Sequence, residues 1–179
     1  MQSDKKYQVI YADPPWPEAN GVYVMRQQRA TQGAAYKEKP RFKTMLIKEI
    51  CELPVEKLTA DDCVLFLWTT HAFIWNAKEL MDSWGFTYKA TIVWDKEKIG
   101  MGAWLRMQCE FCLFGIKGKP IWNNTKWRDM IREPRREHSR KPEAFYKMVE
   151  EITVGRRLDY FARGKRKGWD VFGNDTERF

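Results

Sequence analysis

Short runs of apolar and β-forming residues recur along the chain, separated by polar segments. The first covers residues 7–12 and stops at two prolines, which cannot continue a strand ladder. Similar runs follow, and each is short enough to be a buried strand. Strands are therefore predicted at 7–12, 63–68, 86–94, 109–116 and 158–162, with a shorter one at 169–172.

Helical periodicity appears between these runs. Thr44 offers an N-cap for a short helix over 45–52. Phe73, Ala77, Leu80 and Trp84 recur at helical spacing and predict an amphipathic helix over 72–84, ended by Gly85. A further helix is predicted to start with Pro142 in its first turn. Its buried face consists of Phe145, Met148, Val149 and Ile152.

Strands that alternate with helices favour an α/β fold with a mostly parallel sheet. The length of 179 residues favours a single domain over 1–179. In such sheets, ligands bind at the carboxyl ends of the strands. Asp13 and the two prolines follow the first strand and therefore lie at such an end.

Composition narrows the class of protein. Hydrophobic residues make up 44% of the chain and charged residues 31%, which is typical of a globular protein. No apolar run approaches the roughly 20 residues that span a bilayer, and the N-terminus lacks the apolar core of a signal peptide. We therefore expect a cytoplasmic protein without a membrane partner.

Charge indicates a polyanionic partner. The chain carries 32 lysines and arginines against 24 acidic residues, a net charge of +8. Two segments without clear periodicity, 17–43 and 126–141, are rich in these basic residues. We expect nucleic acid to bind through basic loops at 26–43 and 126–141.

Cysteine spacing does not predict a metal centre. Cys109 and Cys112 form the one close pair, and no second pair or histidine stands at zinc-ligand spacing. Both residues lie on a predicted strand, where positions three apart point to opposite faces. Reduced cysteines fit a cytoplasmic chain.

Asp13-Pro14-Pro15-Trp16 is the most informative motif. The prolines fix the turn and leave carbonyl oxygens beside the Asp13 carboxylate as a rigid array of acceptors. Such an array suits an exocyclic amine, which offers two N–H donors, and Trp16 supplies a face for a planar base. Acceptors around an adenine amine can direct its nitrogen lone pair at an electrophile. The alternative is a strand-ending turn with a structural tryptophan.

The motif and those that follow it make the chain resemble a known family. Tyr11-Ala12-Asp13-Pro14-Pro15-Trp16 matches the signature of the adenine N6-methyltransferases of the MT-A70 family, which includes the catalytic subunit that methylates mRNA adenosine. The resemblance runs from about residue 8 to 175. Further segments match in family order: Phe42-Lys43-Thr44-Met45, Leu65-Phe66-Leu67-Trp68-Thr69-Thr70, Gly85-Phe86, Ile92-Val93-Trp94-Asp95-Lys96, Gly100-Met101-Gly102, 110–118, His138-Ser139-Arg140-Lys141-Pro142, Phe161-Ala162-Arg163, Gly168-Trp169-Asp170 and Gly173-Asn174.

The resemblance implies a Rossmann-like methyltransferase fold and transfer of a methyl group from S-adenosylmethionine to adenine N6 in DNA or RNA. The catalytic residues would be Asp13, Pro14, Pro15 and Trp16. The cofactor would be bound by Asp13, Lys141, Arg163, Arg166 and Asn174. The substrate would be bound by Trp16, Phe42, Glu110 and Arg136.

Some of these residues also have structural interpretations. Arg163 and Arg166 belong to a basic run that could be a solvated turn, Asn174 could be a turn residue, and Glu110 could be a paired acid on a buried strand. Two features depart from the family. Phe42 stands where a tyrosine is frequent, which removes a hydroxyl. Only twelve residues precede Asp13, so we expect the family's contacts to the cofactor's adenine to be missing or supplied differently.

Two other functions compete with the methyltransferase. A non-catalytic nucleic-acid-binding partner subunit would be marked by a damaged tetrapeptide, whereas Asp13 to Trp16 is intact. A small-molecule methyltransferase would not need basic loops. The sequence leaves open the choice between DNA and RNA, and it allows a homodimer in which a second copy helps to hold the nucleic acid.

Overall fold

One sheet of seven strands organises the part of the chain that the computed structural model describes, residues 5–17, 44–100, 104–123, 126–137, 140–173 and 176–177. The spatial order of its strands is β5-β3-β4-β2-β1-β6-β7. The strands are β1 (Tyr7–Ala12), β2 (Thr59–Thr69), β3 (Thr87–Asp95), β4 (Cys109–Lys117), β5 (Met130–Arg132), β6 (Arg157–Tyr160) and β7 (Trp169–Phe172).

Strand direction decides what meets at each edge of this sheet. β4 runs antiparallel to its neighbours β2 and β3, whereas the other neighbouring pairs are parallel. The carboxyl ends of six strands therefore share one edge with the amino end of β4. The predicted α/β fold with a mostly parallel sheet is confirmed.

Helices cover both faces of the sheet and explain why its central strands carry apolar residues on both faces. Ile10 of β1 and Leu65 of β2 face one cluster, which includes residues of α1 (Ile47–Cys51) and α2 (Ile74–Ser83). The alternate positions Val9 and Phe66 face a second cluster, which packs against α3 (Glu143–Ile152). Short 3₁₀ turns at Val55–Lys57 and His71–Phe73 complete the helical elements of the described residues.

Most predicted elements are present with shifted ends. The helix predicted over 45–52 begins at Ile47, and Thr44 does not cap it. Leu46 occupies the N-cap position, and its backbone N–H donates to the Glu49 carboxylate at 2.7 Å. The helix predicted over 72–84 begins as a 3₁₀ turn and becomes α-helical at Ile74. Gly85 follows it with φ of +80°, as expected for its C-terminus.

Three further boundaries differ from the sequence interpretation. β5 lies within the segment 126–141, which showed no periodicity in the sequence. It was not predicted, because a three-residue edge strand is too short to show a period. Pro142 occupies the N-cap of α3 and not its first turn. β6 ends at Tyr160, because Phe161 has φ of +72° and turns the chain out of the sheet.

A search of the described residues finds no helix with both the length and the apolarity that a membrane crossing requires.

Phe145 couples α3 to the sheet, and its truncation tests this packing. Its ring is fully buried and contacts the rings of Tyr11, Phe66 and Trp68. We expect Phe145→Ala to lower the free energy of unfolding by about 3–5 kcal/mol in urea titrations. The control is Trp75→Ala on α2, whose side chain is 84% exposed and whose removal should cost much less. Equal destabilisation in the two variants would contradict this account of the core.

Candidate active site

The tetrapeptide Asp13-Pro14-Pro15-Trp16 follows β1 at the shared edge of the sheet. Asp13 donates its backbone N–H to the Tyr160 carbonyl of β6 at 3.4 Å, which ties the two strand ends together. The proline carbonyls are already used by the backbone. Pro14 O accepts from Trp16 N–H at 2.8 Å, and Pro15 O accepts from Met45 N–H at 3.0 Å. A carbonyl has two lone pairs, so each oxygen keeps one for a ligand.

A buried ammonium group lies at the centre of the site. Lys141 precedes α3, and its side chain is only 9% exposed. Its Nζ lies 3.1 Å from Asp13 Oδ1 and 3.1 Å from Glu110 Oε2. The same nitrogen lies 5.1 Å from the centre of the Trp68 ring, a cation–π distance. Lys141 therefore joins the end of β1 to the start of β4.

Two more cations complete this charge network. Lys96 follows β3, and its Nζ lies 3.2 Å from Glu110 Oε1, the oxygen that Lys141 leaves free. Arg163 follows β6, and its Nη2 lies 3.8 Å from Asp13 Oδ2. Each of the two carboxylates thus faces two cations from different elements of the fold.

Charge pairing opposes desolvation in this network. Burial would raise the pKa of Glu110, but Lys141 and Lys96 lower it to about 2. Burial would lower the pKa of Lys141, but Asp13 and Glu110 raise it above its ordinary value. Glu110 and Lys141 are therefore both charged at neutral pH. A low-dielectric site with fixed charges can stabilise charge that develops during a reaction.

A second buried acid lies next to this network. Asp159 of β6 accepts a hydrogen bond from the Tyr146 hydroxyl at 3.3 Å. Burial and the nearby charge of Asp13 raise the pKa of Asp159 to about 7. The Tyr146 ring stacks on Tyr11, with ring centres 4.8 Å apart. The site therefore contains one acid that titrates near neutral pH.

A concave pocket opens between the ends of β1 and β6 and the start of α3. Asp13, Glu143 and Asp159 contribute its carboxylates. Its basic lining residues are Arg136, Arg140, Lys141, Arg163, Lys165 and Arg166. A ligand with both a carboxylate and a cationic group matches this set, because the pocket offers partners for both charges.

The family comparison agrees with this geometry. The MT-A70 family model matches residues 7–175. The chain belongs to the MT-A70 family. It is 36% identical over 183 residues to the Type II methyltransferase M.MunI of a Mycoplasma species, a match that covers 94% of this chain and 77% of that protein.

Eukaryotic relatives match over the same region. A probable N(6)-adenosine-methyltransferase MT-A70-like protein of Oryza sativa is 33% identical over 180 residues, covering 94% of this chain and 23% of that protein. The human N(6)-adenosine-methyltransferase catalytic subunit METTL3 is 29% identical over 184 residues, covering 96% and 28%. The chain thus spans about a quarter of the length of these two relatives. The predicted family and the predicted class of enzyme, an adenine N6-methyltransferase, are confirmed.

The structure brings several of the residues singled out by the MT-A70 motifs to one place. Asp13, Glu110, Lys141 and Arg163 form the charge network. Arg166 lies on the pocket wall, where its guanidinium bonds both Glu143 carboxylate oxygens at 2.5 and 2.6 Å and lies over the Tyr146 ring. Phe42, Asn174 and the loop 26–43 lie outside the described residues.

Arg136 and Trp16 are held by the protein itself. Arg136 donates to the Lys141 carbonyl at 2.9 Å, so it supports the backbone of the central lysine. The Trp16 ring stacks on Phe73 with 5.6 Å between ring centres, and its Nε1–H donates to the Trp68 carbonyl at 3.0 Å. One face of the indole is therefore covered by protein. The expected stacking on a base would use the other face.

The sequence motifs predicted no role for Lys96, Asp159, Tyr146 or Trp68, all of which contact the site residues. Lys96 and Trp68 lie inside matched segments, whereas Asp159 is the second residue of the strand predicted over 158–162. The position just after a predicted strand was the available signal for Lys96, and no such signal marked Asp159. Tyr146 had no such signal, because its helix carries the apolar spacing of an ordinary core helix.

The raised pKa of Asp159 predicts a specific pH dependence of stability. The unfolded carboxyl has a pKa of roughly 4, so folding stabilises its protonated form. This contribution is fully present below about pH 4, and it is lost as pH rises to the folded pKa of about 7. Asp159→Asn cannot ionise and should escape this destabilisation. Its stability relative to wild type should rise by a few kcal/mol between pH 4 and 7 and then level off.

Urea titrations of the two proteins across this range measure the difference directly. A constant difference between wild type and Asp159→Asn from pH 4 to 8 would contradict the proposed environment of Asp159.

Proposed function

We propose that this protein uses S-adenosylmethionine to methylate the N6 amine of adenine in nucleic acid, with the charge network around Lys141 as its catalytic centre. One observation carries the proposal. The Asp13 and Glu110 carboxylates converge on a single buried ammonium beside a pocket of mixed charge. An array of acceptors thus lies next to a pocket suited to a zwitterionic donor molecule.

The residues around the methyl acceptor would act by orienting the adenine amine. An adenine amine is a poor nucleophile, because its lone pair is delocalised into the ring. Asp13 and a remaining lone pair of Pro14 O would accept its two N–H groups and direct the nitrogen lone pair towards the methyl donor. Glu110 would be a further acceptor that shares these N–H groups, because the ring nitrogens on the other edges of adenine are themselves acceptors. As the nitrogen becomes cationic, the Asp13 carboxylate would stabilise the developing charge and receive the released proton.

The donor side would be the pocket between β1, β6 and α3. S-adenosylmethionine supplies an electrophilic methyl group on a sulfonium sulfur. Lys141, Arg163 and Asn174 would hold the cofactor, with Lys141 next to its carboxylate, as the family resemblance implies. Asp13 and Asp159 would face its cationic groups. Arg166 would shape the wall through its contacts with Glu143 and Tyr146.

The substrate side would involve residues around the tetrapeptide. Trp16 and Phe42 would contact the target base, and Arg136 would stand beside the site. Reaching N6 within a duplex requires extruding the base at a cost of a few kcal/mol. We therefore expect unpaired adenine to react faster than paired adenine.

Nucleic acid would lie over basic segments of the same molecule. Within 126–141, most described basic side chains already pair with acids, as Lys126 does with Glu151 and Arg132 with Asp95. Arg128 and Arg135 are exposed and form no ion pair with the described residues, so they are the candidates for phosphate contacts. The loop 26–43 would add further cations, and a homodimer would extend the surface. We place the protein in the cytoplasm.

The activity is tested by mass spectrometry of nucleosides. Wild type and Asp13→Asn are incubated with S-adenosylmethionine and with single-stranded or duplex DNA or RNA. We expect N6-methyladenosine or its deoxy form with wild type, and a rate on the order of 100- to 1,000-fold lower with Asp13→Asn, because one preorganised polar group is lost. Asp82→Asn, an exposed change on α2, is the control and should react as wild type does.

Calorimetric titration with S-adenosylhomocysteine accompanies these assays and shows whether the variants keep their pocket. No methylated adenine on any of the four substrates, with the ligand still bound, would refute the enzyme and favour a non-catalytic binding subunit. Methylation of duplex faster than of single strands would refute the preference for unpaired adenine.

Salt dependence tests the nucleic-acid surface. Arg128→Gln/Arg135→Gln should reduce the slope of log affinity against log salt by about 0.7–0.9 for each phosphate that the variant no longer neutralises. The control Lys57→Gln/Lys119→Gln removes the same charge at the amino ends of the parallel strands and should leave the slope unchanged. Fluorescence anisotropy with one labelled oligonucleotide measures both. Equal slopes in all three proteins would remove Arg128 and Arg135 from the interface.

A further inference from the structure

Lys96 is a cation of the site whose ammonium pairs with a single acid. It follows β3, its side chain is 16% exposed, and its Nζ lies 3.2 Å from Glu110 Oε1. In the described part of the chain, Glu110 is the one carboxylate that it pairs with. An ammonium placed this far from solvent is costly unless it is paired, so the contact is a defined feature of the fold.

The sheet itself imposes this contact. Trp94 of β3 pairs with Glu110 of β4, and the Lys96 N–H donates to the Gln108 carbonyl at 3.1 Å just beyond the ladder. Lys96 and Glu110 are therefore diagonal neighbours on one face of the antiparallel pair, within reach of each other's side chains. The neighbouring Asp95 carboxylate accepts from Glu97 N–H and Gln108 Nε2, which fixes the turn that carries Lys96.

The Lys141 ammonium, in contrast, pairs with more than one carboxylate. It already contacts Asp13 and Glu110, and the proposed function adds the carboxylate of the cofactor. Three N–H donors would then serve three carboxylates, one of which belongs to a molecule that exchanges in every cycle. A carboxylate held by Lys141 alone would therefore change its environment as the cofactor enters and leaves.

We propose that Lys96 is a positioning residue that holds Glu110 oriented towards the amine of the target adenine throughout the cycle. Lys96 acts through Glu110 and does not touch the base. Because Oε1 is fixed by Lys96, Oε2 stays directed to the side on which Lys141 and Asp13 lie. The inference rests on the proposed function, because Lys96 would keep in place the Glu110 carboxylate, one of the acceptors of that function.

Binding of a base with and without its amine tests this role. The probes are labelled oligodeoxyadenylate and the matching oligomer of purine deoxyribonucleosides, which lacks the amine. Both are titrated in saturating S-adenosylhomocysteine, so no turnover occurs. Wild type should bind the adenine oligomer more tightly. Lys96→Met should reduce this preference on the order of tenfold, the size of one weakened charge-assisted hydrogen bond, and leave purine binding nearly unchanged.

Matched variants separate positioning from a simple change of charge. Lys98→Met removes the same charge two residues away, at an exposed position, and should keep the preference for adenine. Lys96→Arg should restore most of it. In a double-mutant cycle, Lys96→Met should have no further effect on the preference once Glu110 is replaced by Gln, because the two changes act through one acceptor. Affinity for S-adenosylhomocysteine should remain as in wild type and shows that Lys96→Met is folded.

The outcomes distinguish the inference from the proposed function. If wild type prefers adenine and Lys96→Met weakens both oligomers equally, Lys96 is a phosphate contact and the inference is overturned. The same holds if Lys96→Met still lowers the preference in the Glu110→Gln background. If Lys96→Met is unfolded but Lys96→Arg lacks the preference at full cofactor affinity, the inference is also overturned. A wild type without any preference overturns the inference, whereas the proposed function depends on the nucleoside assay.

Discussion

The arrangement of the site depends on the cost of burying the Lys141 ammonium. A cation with so little exposure must be matched by anions, and the fold supplies Asp13 from the end of β1 and Glu110 from β4. These two acids would repel each other if they shared the site without the lysine. The buried charge of Lys141 therefore holds two acceptors close together. The backbone carbonyl of Lys141 in turn accepts a hydrogen bond from Arg136.

The reversed strand β4 makes this arrangement possible. In an all-parallel sheet, a residue at the start of a strand lies at the edge opposite to the carboxyl ends of its neighbours. Because β4 runs antiparallel between β2 and β3, Glu110 near its start lies at the same edge of the sheet as Asp13, which follows the end of β1. The same reversal brings Lys96, just after β3, next to Glu110. One topological feature thus supplies both an acceptor and the cation that pairs with it.

The surrounding aromatic residues give the charges a low-dielectric setting. Trp68 lies beneath the Lys141 ammonium, and Tyr11 and Tyr146 stack next to Asp159. Coulomb interactions are stronger where water is excluded, so the same charges act more strongly on a bound ligand than they would at the surface. The MT-A70 family assignment agrees with this picture, because a methyl transfer to a neutral amine develops charge that fixed groups can stabilise.

The sequence by itself determined the class of fold, the strands and helices with their approximate ends, and the tetrapeptide at the end of β1. Those properties follow from local information, namely which face of an element is apolar and where prolines forbid a ladder. It also singled out Glu110, Lys141 and Arg163, but through the resemblance of their motifs and not through any local pattern. The short edge strand β5 was not predicted, because three residues show no period. The N-cap of α1 was predicted at the wrong residue, because neighbouring residues can cap the same helix.

Only the tertiary structure decided which of these residues meet. Periodicity records that a strand is buried, but the choice of its neighbours and its direction depends on contacts summed over the whole sheet. The pairing of Lys96 with Glu110 required the register of β3 against β4, and the raised pKa of Asp159 required burial next to Asp13. Asp13 and Lys141 lie far apart in the chain, and their contact exists because packing of α3 against the sheet places a lysine where two acids need a counter-charge.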